Sequence, residues 1–285
     1  MAAQIDATAF RAKQQADWNI AANGWRKWAE TIDVQTGHIS RRLVELAGVE
    51  PGFRVLDVAA GYGEPTLTAA QVAGPDGTVV ATDISAQMLA FGRERAEAAG
   101  LDNVEFMEAD AASLDFPHES FDAAVSRWGI IFEPDGEGAA ARVRGFLKPG
   151  ARMAISSWGA PPEVPFLSIP MTTVMQKLDA PPPPPGTPGP MSRPTPEAIG
   201  GLLEGGGFSN VEVERAEVVV DFDSADEFTV YIQEMAAPIA ALVAAAPPEV
   251  QEETWAAVSS AFAEHAGADG RVSLPNAVLL ASGTA

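Results

Sequence analysis

The 285-residue chain contains no cysteine, which excludes a disulfide framework, a zinc–thiolate centre and a thiol nucleophile. Basic residues are also scarce. Lysine and arginine total 18 against 39 aspartates and glutamates, for a formal charge of −21. Nucleic-acid binding takes much of its affinity from phosphates neutralised by Lys and Arg, so no RNA or DNA partner is expected. An acidic, soluble surface is the simplest account of the charge. Long hydrophobic runs are missing too: the longest, Ala236 to Ala246, is interrupted by Pro238 and is too short to span a bilayer. The opening MAAQIDATAFRAKQQ lacks a basic-then-apolar signal pattern. A cytoplasmic location with no membrane partner and no metal is therefore the expectation.

What is present centres on Arg54 to Thr68, RVLDVAAGYGEPTLT. Val55, Leu56 and Val58 make a short apolar run rich in β-branched residues, which suits a buried strand. Asp57 interrupts it, Gly61-Tyr62-Gly63 turns the chain, and Pro65 suits the first turn of a helix. Strand, glycine turn and helix start together form the opening unit of a doubly wound α/β fold. A dinucleotide site wants a third glycine where Thr66 stands, and no Lys-Ser or Lys-Thr follows to make a triphosphate loop. Asp57 and Glu64 flank the turn; carboxylates repel a pyrophosphate but attract an ammonium and a sulfonium. The charge pattern favours S-adenosylmethionine over NAD or ATP.

Further along, the chain alternates strands and helices. TVVAT over Thr78 to Thr82 reads as a second strand with Asp83 at its carboxyl end, twenty residues beyond Gly63. That interval suits a carboxylate holding both ribose hydroxyls of an adenosine-type ligand. A helix over Ala86 to Ala99, a strand over Asn103 to Glu108 and a strand over Phe121 to Ser126 follow, then a helix near Glu137 to Leu147 and a strand over Arg152 to Trp158. Four strand–helix units in succession indicate an α/β class with a parallel sheet. Outside them, residues 1–50 read as helices with Trp18, Trp25 and Trp28 at roughly helical spacing and a break at Thr36-Gly37-His38. The tract Pro181 to Pro185 reads as an extended connection. Residues 224 to 266 return to helical patterning.

The ordered series LDVAAGYGE, ATDIS, EADAASLDF and FDAAVSRWGIIF resembles the motif set of class I S-adenosylmethionine-dependent methyltransferases, in the UbiE-like small-molecule branch. The resemblance implies a seven-stranded, mostly parallel, Rossmann-like sheet whose last strand inserts antiparallel. It divides the chain into an N-terminal helical lid segment (1–50), a cofactor-binding core (51–159), a lid insertion with the proline tract (160–194), a core continuation (195–223), a helical lid insertion (224–270) and a last core strand (271–285). Carried over residue by residue, Asp57, Ala59, Gly61 and Gly63 cradle the methionine end of the cofactor, with Tyr62 and Glu64 beside it. Asp83 and Ile84 hold the ribose and one adenine face, Asp110 and Ala111 contact the adenine, and Ser126 lines the floor beneath the methionine moiety. Met88 reads equally as an adenine contact or a core methionine.

Methyl transfer needs a base only when the acceptor must lose a proton. His38 is the catalytic candidate, because a helix break there would let it face the cavity. No Asn-Pro-Pro-aromatic signature follows the fourth strand, where Ser126-Arg127-Trp128-Gly129 stands instead. The expected partner is a small, largely apolar methyl acceptor, with Trp25, Trp28, Trp128, Phe132 and Phe166 as lining candidates. Two alternatives stay open: a cyclase or decarboxylase on the same cofactor-binding fold, and a non-catalytic binding module. Monomer and homodimer are both left open.

Overall fold

The computed structural model describes residues 6–184 and 186–285. Residues 1–5 of the expected N-terminal segment, and Pro185 at the end of the proline tract, lie outside the described residues. Seven strands form one sheet: β1 (Arg54–Val58), β2 (Thr78–Asp83), β3 (Val104–Glu108), β4 (Phe121–Ser126), β5 (Leu147–Trp158), β6 (Ser209–Phe222) and β7 (Val272–Thr284). Their order is β3-β2-β1-β4-β5-β7-β6. Strands β1 to β5 run parallel, and β7 is inserted antiparallel between β5 and β6. The order reverses between β1 and β4, and in open α/β sheets ligands bind outside the carboxyl ends of the strands at such a switch point.

The helices are α1 (Ala7–Leu46), α2 (Thr66–Ala73), α3 (Ala86–Ala98), α4 (Gly136–Phe146), α5 (Pro165–Lys177), α6 (Pro196–Gly205), α7 (Ala225–Met235), α8 (Ala237–Ala244) and α9 (Pro248–Ala263). Alternation along each strand sorts them into two layers. Val55, Ala123, Val125 and Ala154 face one layer, where they share a core with Ile39 and Leu43 of α1, Phe228 of α7 and Phe262 of α9. Leu56, Val58, Met153 and Ile155 face the other, against Val143 of α4 and Leu202 of α6. Asp57 lies two residues from Val55 and so shares the α1 face. Pro65 precedes α2 as its N-cap residue rather than standing within the first turn.

Helix α1 departs from the sequence reading. It is one uninterrupted helix of 40 residues, about 60 Å long at the usual rise, and Gly37 sits inside it. Asp6 starts it, its Oδ1 accepting from the backbone N–H of Thr8 and Ala9 at 3.0 and 3.1 Å. Ile32, Thr36, Ile39, Ser40 and Leu43 are all buried along one side. Continuous packing of that stripe outweighs the roughly 1 kcal/mol that an interior glycine costs a helix. At Gly24 the helix backbone meets α7 so closely that a Cβ would stand 2.1 Å from the Glu234 carbonyl oxygen.

Candidate functional site

The turn after β1 is built from left-handed backbone. Gly61 and Gly63 have φ of 56° and 107°, and Ala59, which carries a Cβ, has φ of 58°. Non-glycine residues in this region store strain, which gathers at ligand sites. The turn is tied down by Asp83 at the end of β2. Its Oδ2 accepts from the Gly61 N–H at 2.8 Å and its Oδ1 from the Ser85 N–H at 2.8 Å. Ser85 in turn caps α3 through Met88. Burial pushes the Asp83 carboxyl up to about 6, the N–H donors of Ser85 and Gly61 holding it from rising further.

Asp57 is more exceptional. It is wholly buried, its Oδ2 accepts from Thr66 Oγ1 at 2.6 Å, and its Oδ1 has no partner. Burial drives its pKa up to about 7, against the opposing pull of Thr66 and the Arg127 charge. A buried carboxylate oxygen without a donor is costly unless a proton, a water or a ligand partners it. Asp57 and Asp83 thus present free acceptor capacity on adjacent strands beside a glycine turn, which fits an ammonium at one and vicinal hydroxyls at the other. Glu64 is engaged locally, accepting from Thr68 Oγ1 at 2.8 Å. Met88 is 3% exposed, and its Cε would stand 3.5 Å from a Cβ built on Gly61, so it packs under the turn.

The amino-terminal half of α1 lies across these strand ends. Arg11 bonds Glu133 at 3.0 Å and pairs with Asp110 at 3.3 Å, while Asp110 also accepts from the Ala112 N–H at the 3-10 turn that Ala111 begins. Gln15 donates to the Ile84 carbonyl at 2.9 Å, and Ser85 Oγ bonds Asn19 Oδ1 at 2.7 Å. Ile84, Ser85 and Asp110 are therefore each bonded from α1.

Beyond β4 the residues change character. Arg127 is buried, and its guanidinium donates to Thr36 Oγ1 at 3.2 Å, Ser40 Oγ at 2.9 Å and Tyr62 Oη at 2.8 Å. All three acceptors are neutral hydroxyls. Tyr62 Oη donates onward to Asp33 Oδ1 at 2.9 Å, and Asp33 pairs with Arg95. Burial raises the Tyr62 phenol to about 12, so it stays a neutral relay between α1 and the β4 loop. Sequence reasoning missed Arg127, its partners Thr36 and Ser40, and Asp33 behind Tyr62; the available signal was a lone cation opening the apolar run SRWGIIF.

Several expected site residues are placed elsewhere. His38 is on the exposed side of α1, its Nε2 2.8 Å from the Glu217 carbonyl of β6, because α1 does not break at Gly37 to turn it inward. Trp28 packs on Phe222 and Tyr231 and donates to Glu234 at 2.6 Å, which seats it in the seam between α1 and α7. Ser126 spends its hydroxyl as a staple, donating to the Val58 carbonyl at 2.8 Å and accepting from the Ile130 N–H at 2.9 Å. The other aromatic candidates fall into two ring series flanking Arg127. Phe132 meets Trp18, Trp18 meets Trp25 and Trp25 meets Tyr62, with centroids 5.3 to 6.1 Å apart. Trp128 stacks on Trp158 at 4.5 Å, and Trp158 meets Phe166 at 4.8 Å.

With this geometry in place, the comparison with known proteins is decisive for the core. Residues 55–150 match the family model described as a methyltransferase domain. The core of the chain is thus similar to methyltransferase domains. Over 134 residues the chain is 39% identical to the ubiquinone/menaquinone biosynthesis C-methyltransferase UbiE of Teredinibacter turnerae, covering 45% of this chain and 54% of that protein. The chain thus spans about half the length of the curated relatives it matches. Among solved structures, the YcgJ protein of Bacillus subtilis superposes with a TM-score of 0.56 at 20% identity, covering 87% of this chain and 98% of that one. The cyclase SpnF superposes with a TM-score of 0.54 at 20% identity, covering 87% and 80%. At such identities these two establish the fold of the methyltransferase domain and nothing about its substrate. Among the described residues, no helix is long and apolar enough to cross a membrane.

Proposed function

We propose that the protein transfers a methyl group from S-adenosylmethionine to a small, largely apolar metabolite. The observation that carries this reading is the pair of buried carboxylates beside the glycine turn, Asp57 with an unpartnered Oδ1 and Asp83 at the adjacent strand end. Such a pair disfavours a pyrophosphate and favours a cationic ligand with a ribose. S-adenosylmethionine, when bound, supplies a methyl group activated by a positive sulfur.

The chain's own residues then have defined tasks. Asp57 receives the ammonium through Oδ1. Asp83 keeps a lone pair on each oxygen beyond those used by Gly61 and Ser85, and these accept from ribose hydroxyls. Ile84, Asp110 and Ala111 border the adenine, and Gly61 and Gly63 keep the turn free of side chains. The amino-terminal half of α1 excludes water from above, and the ring series beside Trp128 orients the acceptor. Holding reactants aligned in a dry site is the enzyme's main contribution to such a displacement. The lid role of α1, with residues 160–194 and 224–270, belongs to the same proposal.

Calorimetric titration with S-adenosylhomocysteine tests the reading. Wild type is expected to bind, and Asp83→Ala to lose about tenfold or more, the weight of a hydrogen bond to a charged group. Absence of binding to wild type refutes the proposal. Release of S-adenosylhomocysteine from S-adenosylmethionine in the presence of acceptor separates methyl transfer from cyclase or decarboxylase chemistry.

A further inference from the structure

The carboxyl ends of the strands, taken in spatial order, change polarity once. Asp110 follows β3, Asp83 ends β2 and Asp57 lies in β1. All three are acceptors. Across the switch point, the residue following β4 is Arg127, and β5 ends in Trp158. The acidic row belongs to the proposed cofactor; what lies beyond it is built from donors.

Arg127 is 7% exposed and has no ion pair with a carboxylate among the described residues. Three of its five N–H donors go to Thr36, Ser40 and Tyr62. Those hydroxyls position the guanidinium, while the carboxylates of Glu64 and Asp33 favour its charge from beyond ion-pair distance. Tyr62 cannot supply the charge, since it donates its own proton to Asp33. Burying a cation without a paired anion is costly. Two more donors belong to the aromatic residues around it, one next to Arg127 and one next to Tyr62. The indole Nε1 atoms of Trp25 and Trp128 are both buried without a partner. Trp128 lies 5.3 Å from the Arg127 guanidinium, and Trp25 packs on Tyr62, which that guanidinium also faces. Trp128 is held with φ of 51°, a conformation rare for a bulky residue and typical of strained ligand sites. Its backbone N–H donates to Ser156 Oγ at 2.9 Å.

We propose that Arg127, with the indole N–H groups of Trp25 and Trp128, forms a donor-only subsite that takes the acidic oxygen of an aromatic methyl acceptor, a carboxylate or an ionised phenol. This rests on the methyltransferase reading and narrows it: the acceptor is flat and apolar where it meets Trp128, Trp158 and Phe166, and anionic at one edge. Arg127 acts as a specificity residue, fixing which edge of the ring is presented.

The test uses the full chain saturated with S-adenosylhomocysteine, with tryptophan fluorescence reporting 2-naphthoate, its neutral isostere 2-naphthamide, and 4-nitrophenol below and above its own pKa. Wild type is expected to favour naphthoate over naphthamide by about tenfold or more, as for a charge-assisted hydrogen bond. A matching gain for ionised over neutral nitrophenol assigns the subsite to phenolates as well; its absence restricts it to carboxylates. Arg127→Gln is expected to erase the preference while S-adenosylhomocysteine affinity stays within about threefold, and Trp128→Phe to reduce it with the ring retained. Equal binding of naphthoate and naphthamide to wild type overturns the subsite, whether or not the variants fold, while leaving cofactor binding intact. Loss of S-adenosylhomocysteine affinity in Arg127→Gln also overturns it, by assigning the guanidinium to the cofactor carboxylate. Failure of wild type to bind S-adenosylhomocysteine at all instead brings down the methyltransferase reading beneath it.

Discussion

Asp57 should make the ligand-free protein less stable as pH rises, and Asp57→Asn should remove that dependence. The carboxyl is fully buried, and its pKa stands at about 7 against an ordinary value of 3.8. The native state therefore holds the proton more tightly than the unfolded chain. Stability from this group is complete below about pH 4 and is lost as pH climbs through 7. The two pKa values lie about three pH units apart, and each unit is worth 1.36 kcal/mol, so the full loss is about 4 kcal/mol. The calculated isoelectric point of 4.4 makes the acid end unsuitable for measurement, since a protein near zero charge associates. Between pH 5 and pH 8 the remaining loss is roughly 3 kcal/mol. Urea unfolding followed by tryptophan fluorescence, at half-unit steps over that range, should show the stability difference between variant and wild type growing by this amount. Titrating groups remote from Asp57 cancel in the difference, Asp83 being the neighbour coupled to it in this range, and any fixed cost of the Asn amide shifts the whole curve without tilting it. A flat difference would mean that Asp57 is ionised without penalty, and the argument for an ammonium-seeking oxygen would fail. The same variant should lose S-adenosylhomocysteine affinity.

Gly129→Ala places a Cβ 2.6 Å from the Ala59 Cβ and 2.9 Å from Ser126 Oγ, so the β4 loop must move off β1; a loss of about 1–3 kcal/mol is expected in denaturant unfolding, and wild-type stability would show that the approach is looser than described. Gly24→Ala meets the Glu234 carbonyl and should separate α1 from α7, read as faster hydrogen exchange in both helices; unchanged exchange refutes it. Arg11→Ala removes the bonds to Glu133 and Asp110; stability should change by less than about 1 kcal/mol for such partly exposed pairs, while stopped-flow S-adenosylhomocysteine association speeds up, and an unaltered rate would detach Arg11 from any covering role. Tyr62→Phe breaks the link from Asp33 to Arg127 and should cost about 1–3 kcal/mol of stability, with no loss in a chemical-denaturation midpoint counting against the relay.

The parallel core was legible because each unit carries its own punctuation. Strand β4 over Phe121–Ser126 and the start of α3 at Ala86 match their apolar runs and caps, and Asp83 falls at a strand end because TVVAT before it reads as a strand. Local signals failed where tertiary packing decides. Gly37 looked like a break because the penalty for glycine is local, whereas the buried stripe that carries α1 through it is made with distant strands. Trp28 looked like a cavity wall because helical spacing says which residues share a stripe and not which neighbour the stripe meets; here it meets α7, with Glu234 waiting for the indole N–H. Arg127 gave almost no signal, since its meaning comes from hydroxyls 65 to 91 positions away in sequence.

Those hydroxyls also explain how one helix serves both halves of the proposed reaction. The amino-terminal half of α1 touches the adenosine side through Arg11, Gln15 and Asn19. Its carboxyl-terminal half reaches the acceptor side through Asp33, Thr36 and Ser40. Tyr62 stands in the glycine turn between them, bonded to Asp33 and Arg127 at once. In α1 the buried stripe runs on past Gly37. Tyr62 Oη joins α1 to the loop after β4, bonded to Asp33 on one side and Arg127 on the other. Replacing that hydroxyl should loosen the acceptor subsite and the cofactor turn together, whereas replacing Arg127 should affect the acceptor side alone.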